Sequence, residues 1–154
     1  MNNLVKLNLP LAQLKLSKEN NITFVRCLIR NKKIVLTPEE WVRQHLINYL
    51  DSHFNYSKFR MAVEFEIKYN QLNKRADIVY FDSDKNPFLI VECKAPNVKL
   101  NENVLHQIVT YNSKLNTPFM LISNGIEHYI FEVIDNQIFS RETLIKQWQK
   151  KSSI

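Results

Sequence analysis

Two periods of hydrophobic and polar residues alternate along this chain, and the points where the period changes divide it into elements. Over 38–51, Trp41, Val42, His45, Leu46, Tyr49 and Leu50 recur at three- and four-residue intervals, which predicts a helix. Its start is written just upstream. Thr37 can cap, Pro38 suits the first helical position, and Glu40 stands where a capping box needs an acidic residue. Over 61–69 the period falls to two, with Val63, Phe65 and Ile67 expected on one face and Glu64, Glu66 and Lys68 on the other. A hairpin turn at 70–73 leads to a strand over 75–81. A polar turn at 82–87 leads to an apolar strand over 88–94, whose composition suits a covered, central position. Pro96 breaks that strand.

A second helix is expected over 102–115, carried by Val104, Leu105, Ile108, Val109 and Leu115. Strands follow over 118–123 and 127–134, separated by Asn124 and Gly125, and a last helix is expected over 141–151. Upstream of residue 37 the pattern is of short extended pieces, at 14–16, 22–28 and 32–36. The fold class is therefore α/β or α+β: a central mixed sheet flanked by helices, in the order α-β-β-β-α-β-β. Residues 1–36 form a β extension packed on the body at 37–154.

Composition narrows the function. At 154 residues the chain has room for one ordinary domain, and its 45% hydrophobic and 23% charged residues exclude a disordered or fibrous protein. Its single glycine, Gly125, excludes a phosphate-gripping P-loop, a dinucleotide fingerprint and a serine-hydrolase elbow, so no nucleotide cofactor is expected. Two cysteines, Cys27 and Cys93, make neither a C-x-x-C pair nor a zinc site. Apolar runs are too short to span a membrane and no leader pattern opens the chain, so a cytoplasmic protein with no membrane partner is expected. The net charge of +6 favours a polyanionic partner, of which nucleic acid is the commonest.

The strand over 88–94 concentrates the chemistry. Phe88, Ile90, Glu92 and Lys94 share one of its faces, so an apolar strand ends in a carboxylate beside an ammonium. If it pairs with the strand over 75–81, Phe81 lies opposite about Phe88, and Asp77 opposite Glu92 or Cys93. Two facing carboxylates repel unless a cation lies between them, and hard oxygen ligands suit Mg²⁺ or Mn²⁺. Lys94 would then stand beside the ion, where it could orient a water or stabilise developing negative charge. A salt bridge at a sheet edge is the plain alternative. His45, His53, His106 and His128 are scattered and read as structural or surface residues. Trp41 reads as core, and Lys146, Lys150 and Lys151 as a solvated basic tail.

Five stretches in order carry a resemblance: TPEEWVRQ at 37–44, KRADI at 74–78, LIVECKAP at 89–96, QIVTYN at 107–112 and SNG at 123–125. With Asp77 followed by Glu92 and Lys94, they resemble the PD-(D/E)XK nuclease superfamily. Within it they are similar to the N-terminal nuclease domain of type I restriction-enzyme R subunits, especially small stand-alone bacterial relatives. The resemblance implies a restriction-endonuclease-like core and a divalent-metal-dependent endonuclease that hydrolyses DNA, with a role in restriction-modification.

It implies Asp77 and Glu92 as metal ligands, with the carbonyl of Cys93 as a third and Glu64 as an additional one. Lys94 would position the attacking water. Gln107 and Tyr111 match the Q-x-x-x-Y pair of these relatives, and their spacing of four puts them on one helix face. Glu40 matches an accessory helix glutamate, which its capping-box position explains equally well. Arg75 is implied as an accessory DNA contact. DNA and other restriction or defence subunits are the implied partners. Ala76 stands where the superfamily's name has Pro, and no translocating ATPase motif accompanies the five stretches, so ATP-driven restriction by this chain alone is not expected. The rivals are a non-cleaving nucleic-acid- or partner-binding module with the same fold, and an α/β domain whose charges form an ion-pair network.

Overall fold

The computed structural model describes residues 4–144. A small antiparallel sheet comes first, made of β1 (Leu16–Glu19), β2 (Ile22–Arg26) and β3 (Lys33–Val35). Helix α1 (Pro38–Phe54) and a single 3₁₀ turn (Lys58–Arg60) follow. The main sheet is built from β4 (Met61–Tyr69), β5 (Leu72–Phe81), β6 (Pro87–Cys93), β7 (Phe119–Ser123), β8 (His128–Ile134) and β9 (Gln137–Arg141), with α2 (Glu102–Leu115) between β6 and β7. Its six strands lie in sequence order, antiparallel except where β6 and β7 run parallel. A parallel pair needs a crossover, and α2 supplies it. The result is a mixed α/β architecture. Among the described residues no helix is long and apolar enough to cross a membrane.

The two helices cover opposite faces of the sheet. Val42, Leu46, Ile47 and Leu50 of α1 pack with Ile78, Leu89, Val91 and Leu121 in one apolar cluster. Val104 and Ile108 of α2 pack with Val79, Ile90, Met120 and Ile122 in the other. Strands β6 and β7, apolar on both faces, lie at the centre, as continuous hydrophobic runs require. The N-terminal segment is tied to this body. Leu7 joins the α1 cluster, Asn8 donates its amide to the Gly125 carbonyl at 2.8 Å, and Leu28 donates its own to Gln44 Oε1 at 2.9 Å. Gly125 has φ +84°, and a β-carbon there would lie 2.7 Å from Leu7 Cδ2, so both conformation and packing call for glycine.

The cap of α1 is as expected: Thr37 Oγ1 accepts from the Glu40 amide at 3.0 Å. The helix runs three residues beyond 51 and ends at Asn55 in the left-handed conformation.

Four expectations need correction. First, β9 pairs with β8 where a closing helix was expected from residue 141, so three strands follow α2. Its turn is Asp135 and Asn136, both at positive φ, the geometry of a two-residue hairpin. The rest of the expected helix, with Lys146, Lys150 and Lys151, lies outside the described residues. Second, Asn70 and Gln71, both at positive φ, make another two-residue turn, so β5 begins at Leu72 and the β4–β5 hairpin is longer than expected. Third, Phe81 pairs with Pro87, because the β5–β6 register shifts between Tyr80 and Phe81. Inside the shift, Tyr80 lies opposite Leu89 and Ile78 opposite Val91.

Fourth, β4 does not keep one apolar face. Met61 and Val63 pack into the α1 cluster, whereas Phe65 and Ile67 pack into the α2 cluster. The change falls at Glu64, whose φ is +49°. On β5 the same change falls at Asp77, between Ala76 of the α2 cluster and Ile78 of the α1 cluster. A left-handed residue other than glycine costs about 1–2 kcal/mol, and such strain collects at functional sites.

Candidate functional site

The β5–β6 ladder brings the two expected carboxylates together. The ladder ends with Ile78 opposite Val91; Asp77 and Glu92 follow just beyond it, and their carboxyl groups meet. Both are buried, at 8% and 5% exposure. Asp77 Oδ2 accepts from the Cys93 amide at 2.7 Å, which ties its side chain across to β6. Burial first, and then the neighbouring Asp77 carboxylate, push the Glu92 carboxyl up to about 8.

Lys94, just past the end of β6, closes a ring of polar contacts with α2. Its ammonium lies 3.3 Å from Glu92 Oε1 and donates to Gln107 Oε1 at 3.2 Å. Gln107 Nε2 donates to Glu92 Oε1 at 3.0 Å and to the Tyr111 hydroxyl at 3.2 Å. A lysine can only donate, so the Gln107 amide is fixed with its oxygen toward Lys94 and its nitrogen toward Glu92. The structure thus gathers Asp77, Glu92, Lys94, Gln107 and Tyr111, with Cys93 between the two charged residues of β6. The Cys93 thiol is fully buried, and burial raises its pKa well above normal. Only its backbone remains as a donor to a cation.

One atom in this ring has no partner. Glu92 Oε2 is buried and receives no protein donor, whereas Oε1 receives both Gln107 and Lys94; the carboxyl meets that of Asp77, so a proton or a cation must lie between them. A buried unsatisfied oxygen costs about 1–3 kcal/mol, so it calls for an explanation. A hard divalent cation between Asp77 and Glu92 would satisfy Oε2 and offset the repulsion between the two carboxylates. The donor set fits Mg²⁺ or Mn²⁺. Among the described residues no three His, Cys, Asp or Glu side chains converge as a cage, so an ion here would complete its coordination from backbone and solvent.

A second layer comes from α1 and the N-terminal loop. Arg43 Nη2 lies 2.6 Å from Asp77 Oδ1, and Nη1 pairs with Glu40. Glu40 Oε1 also accepts from Gln44 Nε2 at 2.8 Å, so its carboxylate serves this buried network while Thr37 alone caps the helix. Gln44 Nε2 and Arg30 both approach Cys27 Sγ, whose pKa these bonds lower against the opposing effect of burial. Arg30 reaches onward to Glu64 at 2.5 Å and Glu40 at 3.7 Å. Glu64 therefore pairs with Arg30, and among the described residues no hydrogen bond or ion pair ties its side chain to the Glu92 ring. Burial lowers the pKa of Arg43, but the Asp77 and Glu40 carboxylates outweigh it and leave the guanidinium firmly charged.

Five carboxyl groups (Glu39, Glu40, Glu64, Asp77 and Glu92) thus face three cations (Arg30, Arg43 and Lys94), and burial beside Asp77 keeps a proton on Glu92 near neutral pH. A cleft of about 500 Å³, lined by Arg30, Thr37, Glu39, Glu40, Arg43 and Glu64, opens beside the cluster.

Arg30, Arg43 and Gln44 escape a reading of the sequence for chemistry. Arg43 and Gln44 lie inside the TPEEWVRQ stretch, three and four residues after Glu40, and that spacing is the signal that could have found them. Arg30 carries no such signal, since its carboxylate partners Glu40 and Glu64 are distant in sequence and on other elements. Arg75, by contrast, is exposed on β5 two residues from Asp77.

The four histidines take no part in the ring. His45 is buried against the Trp41 carbonyl at 2.8 Å, with Trp41 packed beside it. His128 joins Ser123 to Asn8, His53 lies on Ser52, and the side chain of His106 is exposed. Residues 38–143 match the family model described as the type I restriction enzyme R protein N terminus. No curated protein matches the chain.

Proposed function

Since the chain belongs to the family of type I restriction enzyme R protein N-termini, we propose that it is a divalent-metal-dependent endonuclease domain. Its core would be restriction-endonuclease-like and its substrate DNA. The observation that carries this reading is the bare, buried Glu92 Oε2 beside Asp77, with Lys94 at hand. Asp77 and Glu92, with the carbonyl of Cys93, would hold Mg²⁺ or Mn²⁺. Such an ion polarises a phosphate oxygen and lowers the pKa of a bound water.

The chain's own residues supply the rest. Lys94, held by Gln107 and Glu92, keeps its ammonium at the rim of the site, where it orients a water for in-line attack and balances charge on the phosphate. Gln107 fixes both Lys94 and Glu92, and Tyr111 fixes Gln107. Arg43 holds Asp77 with its other oxygen aimed at the Cys93 amide. Association with other restriction subunits accords with the family.

A second reading has its own observation. Both oxygens of Asp77 are already engaged, one by Arg43 and one by the Cys93 amide. That favours a non-cleaving module whose charges form an ion-pair network.

Plasmid cleavage with Mg²⁺ and with Mn²⁺ separates the two, using wild type beside Lys94→Ala and Asp77→Ala. Nicking or linearisation by wild type alone supports the nuclease. Equal cutting by all three means a contaminant and removes the assigned site. No cutting, together with no saturable Mn²⁺ binding, leaves the non-cleaving module.

A further inference from the structure

The N-terminal sheet precedes residues 38–143, over which the family model matches, yet the buried polar groups that end at Asp77 begin in it. The turn between β2 and β3 sets Cys27, Leu28 and Arg30 against α1. The Leu28 amide donates to Gln44 Oε1 at 2.9 Å, and Cys27 Sγ lies 3.4 Å from Gln44 Nε2. Gln44 Nε2 also donates to Glu40 Oε1 at 2.8 Å. Arg43 then donates through Nη1 to Glu40 Oε2 and through Nη2 to Asp77 Oδ1, and the Cys93 amide donates to Asp77 Oδ2. Cys27, Gln44, Glu40, Arg43 and Asp77 are all buried.

Bonding rules give this relay a direction. A backbone N–H can only donate, so Leu28 fixes which end of the Gln44 amide is oxygen. The amide nitrogen is thereby turned toward Glu40. Each later member is a planar group: a carboxylate, a guanidinium, a carboxylate. Holding one edge of a planar group sets where its other edge points. Glu40 Oε1 is held by Gln44, with Arg30 Nη2 3.7 Å away, which leaves Oε2 for Arg43 Nη1. With Nη1 engaged there, Arg43 presents Nη2 alone to Asp77. Released from Glu40, the guanidinium could fork onto both oxygens of Asp77. It would then compete with the Cys93 amide, and with a cation, for that carboxylate.

We propose that Gln44 and Arg30 are positioning residues, through which the N-terminal sheet sets the aim of Asp77 and so the affinity of the site for a divalent cation. Among the described residues no hydrogen bond or ion pair ties either of them to Asp77 or Glu92; they act through Glu40 and Arg43. The inference rests on the reading above for its cation, and on hydrogen bonds alone for its relay.

Charge gives the test its sign. Arg30 is a cation, so electrostatics alone would make its removal tighten a divalent ion. Loss of the relay does the opposite. Gln44 is neutral, and replacing it with methionine moves no charge.

The test compares the full chain with Gln44→Met, Arg30→Gln and, as a control, Lys32→Gln, which removes a charge exposed on the same turn. One readout is the Cys93 amide in nitrogen-15 correlation spectra, recorded in EDTA. The other is Mn²⁺ affinity by titration calorimetry. In wild type the short bond to a carboxylate should place the Cys93 proton well downfield. Gln44→Met and Arg30→Gln should both move it upfield, while the Val133 amide, bonded to the Pro118 carbonyl, stays in place. Both should weaken Mn²⁺ binding about tenfold, as losing an outer partner of a metal ligand does. Lys32→Gln should leave the amide in place and bind Mn²⁺ no more weakly than wild type.

A merely structural role would lower the urea midpoint and move neither readout. Should Gln44→Met fail to fold, Arg30→Gln decides, since its side chain is 23% exposed. A Cys93 amide at its wild-type position in the folded variants would overturn the relay, as would wild-type or tighter Mn²⁺ affinity in them. A Cys93 amide that moves, in a protein with no saturable Mn²⁺ binding, would sink the metal reading and leave the relay.

Discussion

Arg43 on α1 holds Asp77 on β5: Nη2 and Oδ1 are 2.6 Å apart, with both side chains buried. The helix that covers one face of the sheet thereby sets the aim of a carboxylate in the middle of β5. The same guanidinium reaches Glu40, and its Nε is buried without a partner. Removing one member of a buried pair strands the other, at about 3–5 kcal/mol. Arg43→Ala is therefore expected to lower unfolding stability by about that much in urea. Arg43→Lys, which keeps the charge but cannot fork to two carboxylates, should fall between. A midpoint for Arg43→Ala equal to wild type would mean that the pair is not closed in solution.

Glu92 makes stability depend on pH in a stated direction. Its folded carboxyl titrates near 8, against 4.5 for an unperturbed one. Between those values the folded state holds a proton that the unfolded state has released, so stability falls as pH rises. The contribution is fully present below about 4.5, and its loss is complete once pH passes about 8. Wild type minus Glu92→Gln isolates this group, because glutamine is neutral throughout. The difference in unfolding free energy should change with a slope of up to about 1.4 kcal/mol per pH unit inside the window. A flat difference from pH 5 to 8 would show that Glu92 ionises normally.

Much of the site was legible because it is local or nearly so. The period-two run into Glu92 and Lys94, and a short turn back to Asp77, suffice to oppose the two carboxylates. The i,i+4 spacing suffices to align Gln107 with Tyr111. The rest depends on tertiary contacts or on backbone conformation. Arg43 looks like an ordinary polar helix position until Asp77, 34 residues away, is folded beneath it. The change of face in β4 hangs on a left-handed glutamate, and a glutamate carries no propensity for that conformation, as glycine or asparagine would. β9 is not legible, although Asp135 and Asn136 write its turn, because it is exposed throughout and its adjacent Ile138 and Phe139 give no period of two.

Metal binding should appear as thermal stabilisation before any cleavage is measured. An ion that binds only the folded state raises stability by about 2.7 kcal/mol at a hundred times its dissociation constant. Mn²⁺ should therefore raise the melting temperature of wild type, and Asp77→Asn should remove the increment while leaving the fold intact by circular dichroism. Because the ion must displace the proton on Glu92, the increment should grow from pH 6 to pH 8.5. An unchanged melting temperature over millimolar Mn²⁺ at pH 8.5 would count against a site between Asp77 and Glu92.

Glu64 tests the change of face in β4. Its φ of +49° is unfavourable to any residue with a β-carbon and easy for glycine. Its side chain is 38% exposed in the pair with Arg30, and an exposed pair of this kind contributes about 0–1 kcal/mol. Glu64→Ala and Glu64→Gly both lose that pair, so comparing them leaves only the backbone term. The glycine variant should be the more stable by about 1 kcal/mol, the reverse of the usual order within a strand. Glu64→Val should be the least stable of the three, since a β-branched residue fits an ordinary strand well and the left-handed region worst. Urea midpoints of the three variants decide it. Alanine or valine above glycine would mean that β4 runs straight through residue 64, with Phe65 and Ile67 turned toward α1.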